Sequence, residues 1–139
     1  MTCKEKLAIE HPESIGYYTG FKTDKSVLSA NDYQKLALKF EQGMSQDYPR
    51  IVMGLMGLNG EAGEAIDILK KHLFHFHELD KYHLARELGD VAWYLAVSAD
   101  AIGYSLEEIF EMNLDKLSKR YPEGHFDPEH SKHRKEDDI

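Results

Sequence analysis

The chain predicts an all-α fold, an antiparallel four-helix bundle, on three observations. Four segments carry apolar residues at helical spacing, and no segment alternates with the period of two that a half-buried strand requires. The connections between the segments are short, which favours antiparallel neighbours. With 139 residues, 42% hydrophobic and 30% charged, the chain has the size and composition of one globular domain.

Residues 1–28 mix polar, glycine and aromatic residues without a sustained period, and predict an irregular arm packed down by Tyr17, Tyr18 and Phe21. The first helix runs from about Asn31 to Gln42, with Tyr33, Leu36, Ala37, Phe40 and Met44 following the i, i+3, i+4, i+7 rule of one buried face. Gly43 stops it. The second starts at Pro49, a residue suited to a first turn, and continues to Leu73 or Phe74. Its Gly54, Gly57, Gly60 and Gly63 each cost about 1 kcal/mol relative to alanine in a helix interior. Such a series calls for close helix–helix approach or a local break. The third helix spans Lys81 to Ile102 and ends at Gly103. The fourth opens with the capping box Ser105-Leu106-Glu107-Glu108 and runs to Tyr121, where Pro122 stops it. Residues 29–127 thus form the helical domain, and residues 128–139, almost wholly charged or polar, form a flexible tail.

Seventeen basic against 25 acidic residues give a formal charge of −8. That disfavours a nucleic-acid or anionic-membrane binder, which needs a basic stripe to meet phosphates. A phosphorylated small molecule remains open, because a metal ion supplies positive charge. The single cysteine, Cys3, allows neither an internal disulfide nor a cysteine-based zinc site. The first residues lack the apolar run of a signal peptide, and no stretch is long and apolar enough to span a membrane. A reducing, cytoplasmic setting is the expectation.

The informative residues are Glu61, Glu64, Glu87 and Asp90. Each pair is spaced i, i+3, so both carboxylates share one side of their helix. Leu58, Ala65 and Ile68 neighbour the first pair on the helical wheel, and Leu84, Val91 and Tyr94 the second. The acids therefore lie on or beside the apolar faces. Buried carboxylates without partners cost several kcal/mol each, and converging ones raise one another's pKa values. A cation among them removes both penalties, and oxygen-only ligands select a hard ion such as Mg²⁺ or Mn²⁺. Di-iron chemistry is disfavoured, because no predicted helix carries Glu-x-x-His.

Lys71 returns to the acidic face, whereas Lys70 points elsewhere; Asn113, Lys116 and Arg120 share one side of the fourth helix. Together they fit an anionic, metal-bound ligand such as a polyphosphate, against the plainer role of cations lying over apolar surface. Trp93, beside Asp90 on the wheel, serves either to stack on a base or to pack the bundle. His72, His75 and His77 mark a helix end, with His77 a candidate substrate contact. No Walker-type loop, dinucleotide fingerprint or nucleophile elbow is present in the sequence.

The segments GLNGEAGEAIDILKK, HELD, ELGDVAWYLAVSADAIGYSLEEI and NLDKLSKRYPEG, in that order, resemble the MazG-like branch of the all-α nucleoside triphosphate pyrophosphohydrolases over roughly Asn31 to Phe126. The family signature is Glu-Glu-x-x-Glu followed at a distance by Glu-x-x-Asp. Glu61 and Glu64 match the last two acids of the first block, Glu87 and Asp90 the second, with 22 residues between Glu64 and Glu87. Gly60 stands where the longer motif has a further glutamate. The resemblance implies Mg²⁺-dependent hydrolysis of a nucleoside triphosphate between the α and β phosphates. It implies Glu61, Glu64, Glu87 and Asp90 as metal ligands and catalytic residues, and Lys71, Asn113, Lys116 and Arg120 as phosphate- or sugar-side contacts. A homodimer or homotetramer is implied as well. Two other readings share the fold: a nucleotide-binding or interaction module without turnover, and a purely structural bundle.

Overall fold

The computed structural model describes residues 28–41, 43 and 46–133. All regular structure among them is helical: α1 (Ala30–Ala37) with a 3-10 turn (Leu38–Phe40), α2 (Asp47–His75), α3 (Lys81–Ala101), α4 (Leu106–Arg120) and α5 (Pro128–Lys132). The arm with Tyr17, Tyr18 and Phe21 lies outside the described residues, as do Gln42 and Met44.

The ends of the helices are set locally. Ser29 Oγ accepts from Asp32 N at 3.0 Å and opens α1, and Asp80 Oδ1 accepts from His83 N at 2.9 Å and opens α3. The expected capping box closes in both directions between Ser105 and Glu108. Gly103, at φ 81°, takes the left-handed turn after α3. The first helix ends sooner than its pattern predicts, tightening into the 3-10 turn before Glu41 goes extended. Residues Pro128–Lys132 form a turn of helix where the sequence predicts a flexible tail, because Asp127 Oδ1 caps Glu129 N at 2.8 Å and Glu129 pairs with Lys132 at 2.8 Å.

The dominant packing is an antiparallel hairpin of α2 against α3. Of the four glycines, two explain themselves there: a Cβ on Gly57 would fall 2.1 Å from the Tyr94 ring, and one on Gly54 would fall 2.4 Å from Ser98 Oγ. A Cβ on Gly60 or Gly63 would meet nothing within 4 Å. The helix runs unbroken through all four.

Helices α1 and α4 gather at the C-terminal end of α3, where Ala37, Ala96, Ala99 and Leu106 form the core. Gln34 locks this corner from a buried position: its Nε2 donates to Ala96 O (3.2 Å) and Tyr104 O (3.1 Å), and its Oε1 accepts from Leu106 N (3.0 Å). A buried amide with all three bonds made stabilises, whereas an unmet one costs about 1–3 kcal/mol. Arg50 adds a clamp, donating to both oxygens of Glu41 (2.7 and 2.8 Å) and to Asp100 (2.6 Å).

Candidate active site

Helix α2 brings Glu61, and α3 brings Glu87 and Asp90, to one place along the hairpin. One oxygen from each lies within 4.8 Å of the other two. Glu87 is buried at 7% exposure, Glu61 is half-buried and Asp90 is exposed. The Glu61 carboxyl is pushed above the usual range, by burial first and then by the charges of Glu64, Asp90 and Glu87. From α1, the Tyr33 phenol is raised by burial and by Asp90.

Glu64 lies one turn further along α2, exposed and outside the three-carboxylate group. It shares with Glu87 an open cavity of about 340 Å³, which Gly60, Gly63, Lys71 and His83 also line. The glycines without a neighbour thus keep this opening clear. Lys71 reaches the cavity but is engaged by Asp67, 2.8 Å from its Nζ. Lys70 closes on the same carboxylate from its other oxygen, so both lysines hold the Asp67 carboxyl down at about 2. His83, which the sequence reading did not single out, places Nε2 2.8 Å from Glu87 Oε1. Its i, i+4 spacing from Glu87 was the available signal. A larger cavity of about 870 Å³ opens at the hairpin turn, lined by His77 and again by Lys71 and His83.

A family model, the MazG nucleotide pyrophosphohydrolase domain, matches residues 54–125, just over half of the chain. The chain belongs to the MazG family. The match contains all four acids, most of α2, and the whole of α3 and α4. Among curated proteins, Gene 37 protein of Mycobacterium phage L5 is 38% identical over 73 residues, which is 50% of this chain and 64% of that protein. The chain therefore spans less than two thirds of that relative. No solved structure matches.

Within this MazG domain the remaining candidates do not line the cavity that Glu64 and Glu87 share. Trp93 faces the core, where its Nε1 donates to Ala37 O at 3.0 Å and its ring meets Tyr94 edge-on at 4.8 Å. That is the packing arrangement rather than an open stacking surface. Asn113 is exposed on α4, and Lys116 and Arg120 are half-buried there. None of the three lines the cavity beside Glu64 and Glu87 or the one at the hairpin turn.

Proposed function

We propose that the chain hydrolyses ribo- or deoxyribonucleoside triphosphates between the α and β phosphates, giving the monophosphate and pyrophosphate, with Mg²⁺ as cofactor and Mn²⁺ as a substitute. The observation that carries this reading is the meeting of Glu61, Glu87 and Asp90 from two helices. The donor set fits a hard divalent ion: all oxygen, all anionic, and costly to hold together without one. Glu61, Glu87 and Asp90 would hold it, with Glu64 at the margin. When bound, Mg²⁺ supplies charge neutralisation on the phosphate oxygens and acidifies water.

The side chains do the rest. Glu64, which is exposed and lines the cavity, would accept a proton from the attacking water. Lys71, on the same cavity, turns from Asp67 to a phosphate oxygen when substrate enters.

Asn113, Lys116 and Arg120 complete the phosphate or sugar contacts from a second copy of the chain, in a homodimer or homotetramer. This is supported by a stripe of exposed apolar residues on α2, Val52, Leu55, Ile66, Leu69 and Leu73, turned away from α3. A second exposed row, Phe110, Leu114 and Leu117, runs along α4. Covering them with another chain makes the α2–α3 hairpin part of a four-helix bundle. No described helix is long and apolar enough to cross a membrane, and we place the reaction in the cytoplasm.

The test is turnover of a panel of ribo- and deoxyribonucleoside triphosphates with and without Mg²⁺, scoring pyrophosphate separately from orthophosphate. Metal-dependent pyrophosphate with monophosphate is expected. Orthophosphate alone would mean a different phosphatase chemistry. Silence across the panel, modified bases included, would leave a nucleotide-binding module without turnover.

A further inference from the structure

Glu87 is the most deeply placed of the three facing carboxylates, at 7% exposure. A carboxylate taken that far from water needs hydrogen-bond donors, and its orientation decides which oxygen points at its neighbours. His83 supplies a donor. Its Nε2 is 2.8 Å from Glu87 Oε1, and because an ionised carboxylate only accepts, Nε2 carries the hydrogen. The imidazole stands on a well-fixed piece of backbone: His83 N donates to the Asp80 cap at 2.9 Å, so the first turn of α3 is tied down where His83 leaves it. The i, i+4 spacing then aims the ring at Glu87 along the same helix face, with no dependence on how the hairpin packs.

We propose that His83 is a positioning residue for the acidic site, its Nε2–H holding one oxygen of Glu87 so that the carboxylate stays turned toward Glu61 and Asp90. The inference rests on the metal reading given above and adds a residue to it. His83 itself lies outside the three-carboxylate group, so it acts on the ion through Glu87. It also lines both cavities, the smaller beside Glu64 and the larger at the hairpin turn, and so stands on the rim where solvent and ligand reach the site. Groups that hydrogen-bond metal ligands in this way change metal affinity by about 10- to 100-fold when removed.

The experiment is calorimetric titration of the full chain with Mg²⁺ and, separately, with Mn²⁺, for wild type, His83→Ala and His83→Gln, with metal-free thermal melts alongside. His83→Ala is expected to weaken Mg²⁺ binding by about tenfold or more. His83→Gln, which keeps an N–H donor, is expected to recover most of that affinity. In a Glu87→Ala background, His83→Ala should cost nothing further, since no side-chain acceptor is left for its Nε2–H. Equal Mg²⁺ affinities for wild type and His83→Ala would overturn the inference while leaving the metal reading intact. A loss confined to Mn²⁺ would also overturn it, by making His83 a direct ligand of the softer ion. Wild-type protein that binds neither ion would sink the metal reading and this inference with it. Should His83→Ala fail to fold, His83→Gln decides alone: wild-type affinity supports the donor role, and tenfold weaker binding in a folded variant refutes it.

Discussion

Glu61 holds its proton more tightly in the folded chain than in the unfolded one, because burial and three nearby acids disfavour its charge. The sign follows from linkage. A raised carboxyl favours the fold below its unfolded value, near 4.5, and that contribution is lost as pH rises through the higher folded value. Glu61→Gln is therefore expected to raise the metal-free melting temperature at pH 7 and to flatten its pH dependence relative to wild type. Mg²⁺ should raise the wild-type melting temperature and leave this variant nearly unmoved, since a ligand stabilises only the state that binds it. Calorimetric melts between acid and neutral pH, with and without Mg²⁺, check both. Glu87→Gln and Asp90→Asn are expected to lower turnover by about a thousandfold, several kcal/mol of transition-state stabilisation, while the far-ultraviolet circular dichroism stays helical. Near-normal turnover at saturating Mg²⁺ in either variant would contradict the carboxylate site. The acid pairs were legible in the sequence because i, i+3 spacing fixes an angle on one helix. That Glu61 rather than Glu64 faces the other pair was not, because the angle says nothing about the rotation of α2 against α3. Trp93 was open for the same reason: its wheel position beside Asp90 left it to the fold to turn the indole toward Ala37.

Helix α2 is the element on which sequence and packing divide most clearly. Four glycines look alike in a helical pattern, yet Gly54 and Gly57 sit where α3 comes closest and Gly60 and Gly63 sit beside open space. Gly57→Ala places a methyl 2.1 Å from a Tyr94 ring that is itself packed on Trp93, and is expected to destabilise by about 2–3 kcal/mol. Gly60→Ala meets nothing, and is expected to stabilise by about 0.5–1 kcal/mol through helix propensity alone. Urea denaturation of the two variants gives opposite signs if the glycines divide as described, and the same sign if they do not. At the seam, the Ser98 hydroxyl is buried without a hydrogen-bond partner. Ser98→Ala removes that unmet group and is expected to stabilise by about 1 kcal/mol, read by the same denaturation. Helix ends were easier to read than these contacts: the Ser105 capping box and Gly103 act within a few residues of themselves, so local chemistry settles them.

For the molecule as a whole, α2 carries two apolar surfaces, one spent on α3 and one exposed along Val52, Leu55, Ile66, Leu69 and Leu73. On the proposed reading, a second copy covers the exposed side and sets the hairpin inside a larger bundle. Leu69→Glu is expected to shift the assembled protein toward monomer in sedimentation equilibrium, and to lower turnover by at least about tenfold if a second copy supplies Asn113, Lys116 and Arg120. A monomeric variant with undiminished turnover would mean that one chain holds a complete site. An unchanged oligomer would mean that the contact lies on another face.

By itself the sequence determined the all-helical class, the principal helices and most of their ends, the family, and the i, i+3 spacing of the acid pairs. These follow from spacing, caps and motif, which act over a few residues or are matched residue by residue. Tertiary structure alone decided which three acids meet, that Glu87 is the buried one and so depends on His83, and that Gln34 fastens α1 to Ala96, Tyr104 and Leu106. The physical reason is the same in each case. Burial and distance between residues far apart in the chain arise from how helices rotate and press on one another, and no periodicity within a single helix encodes that rotation.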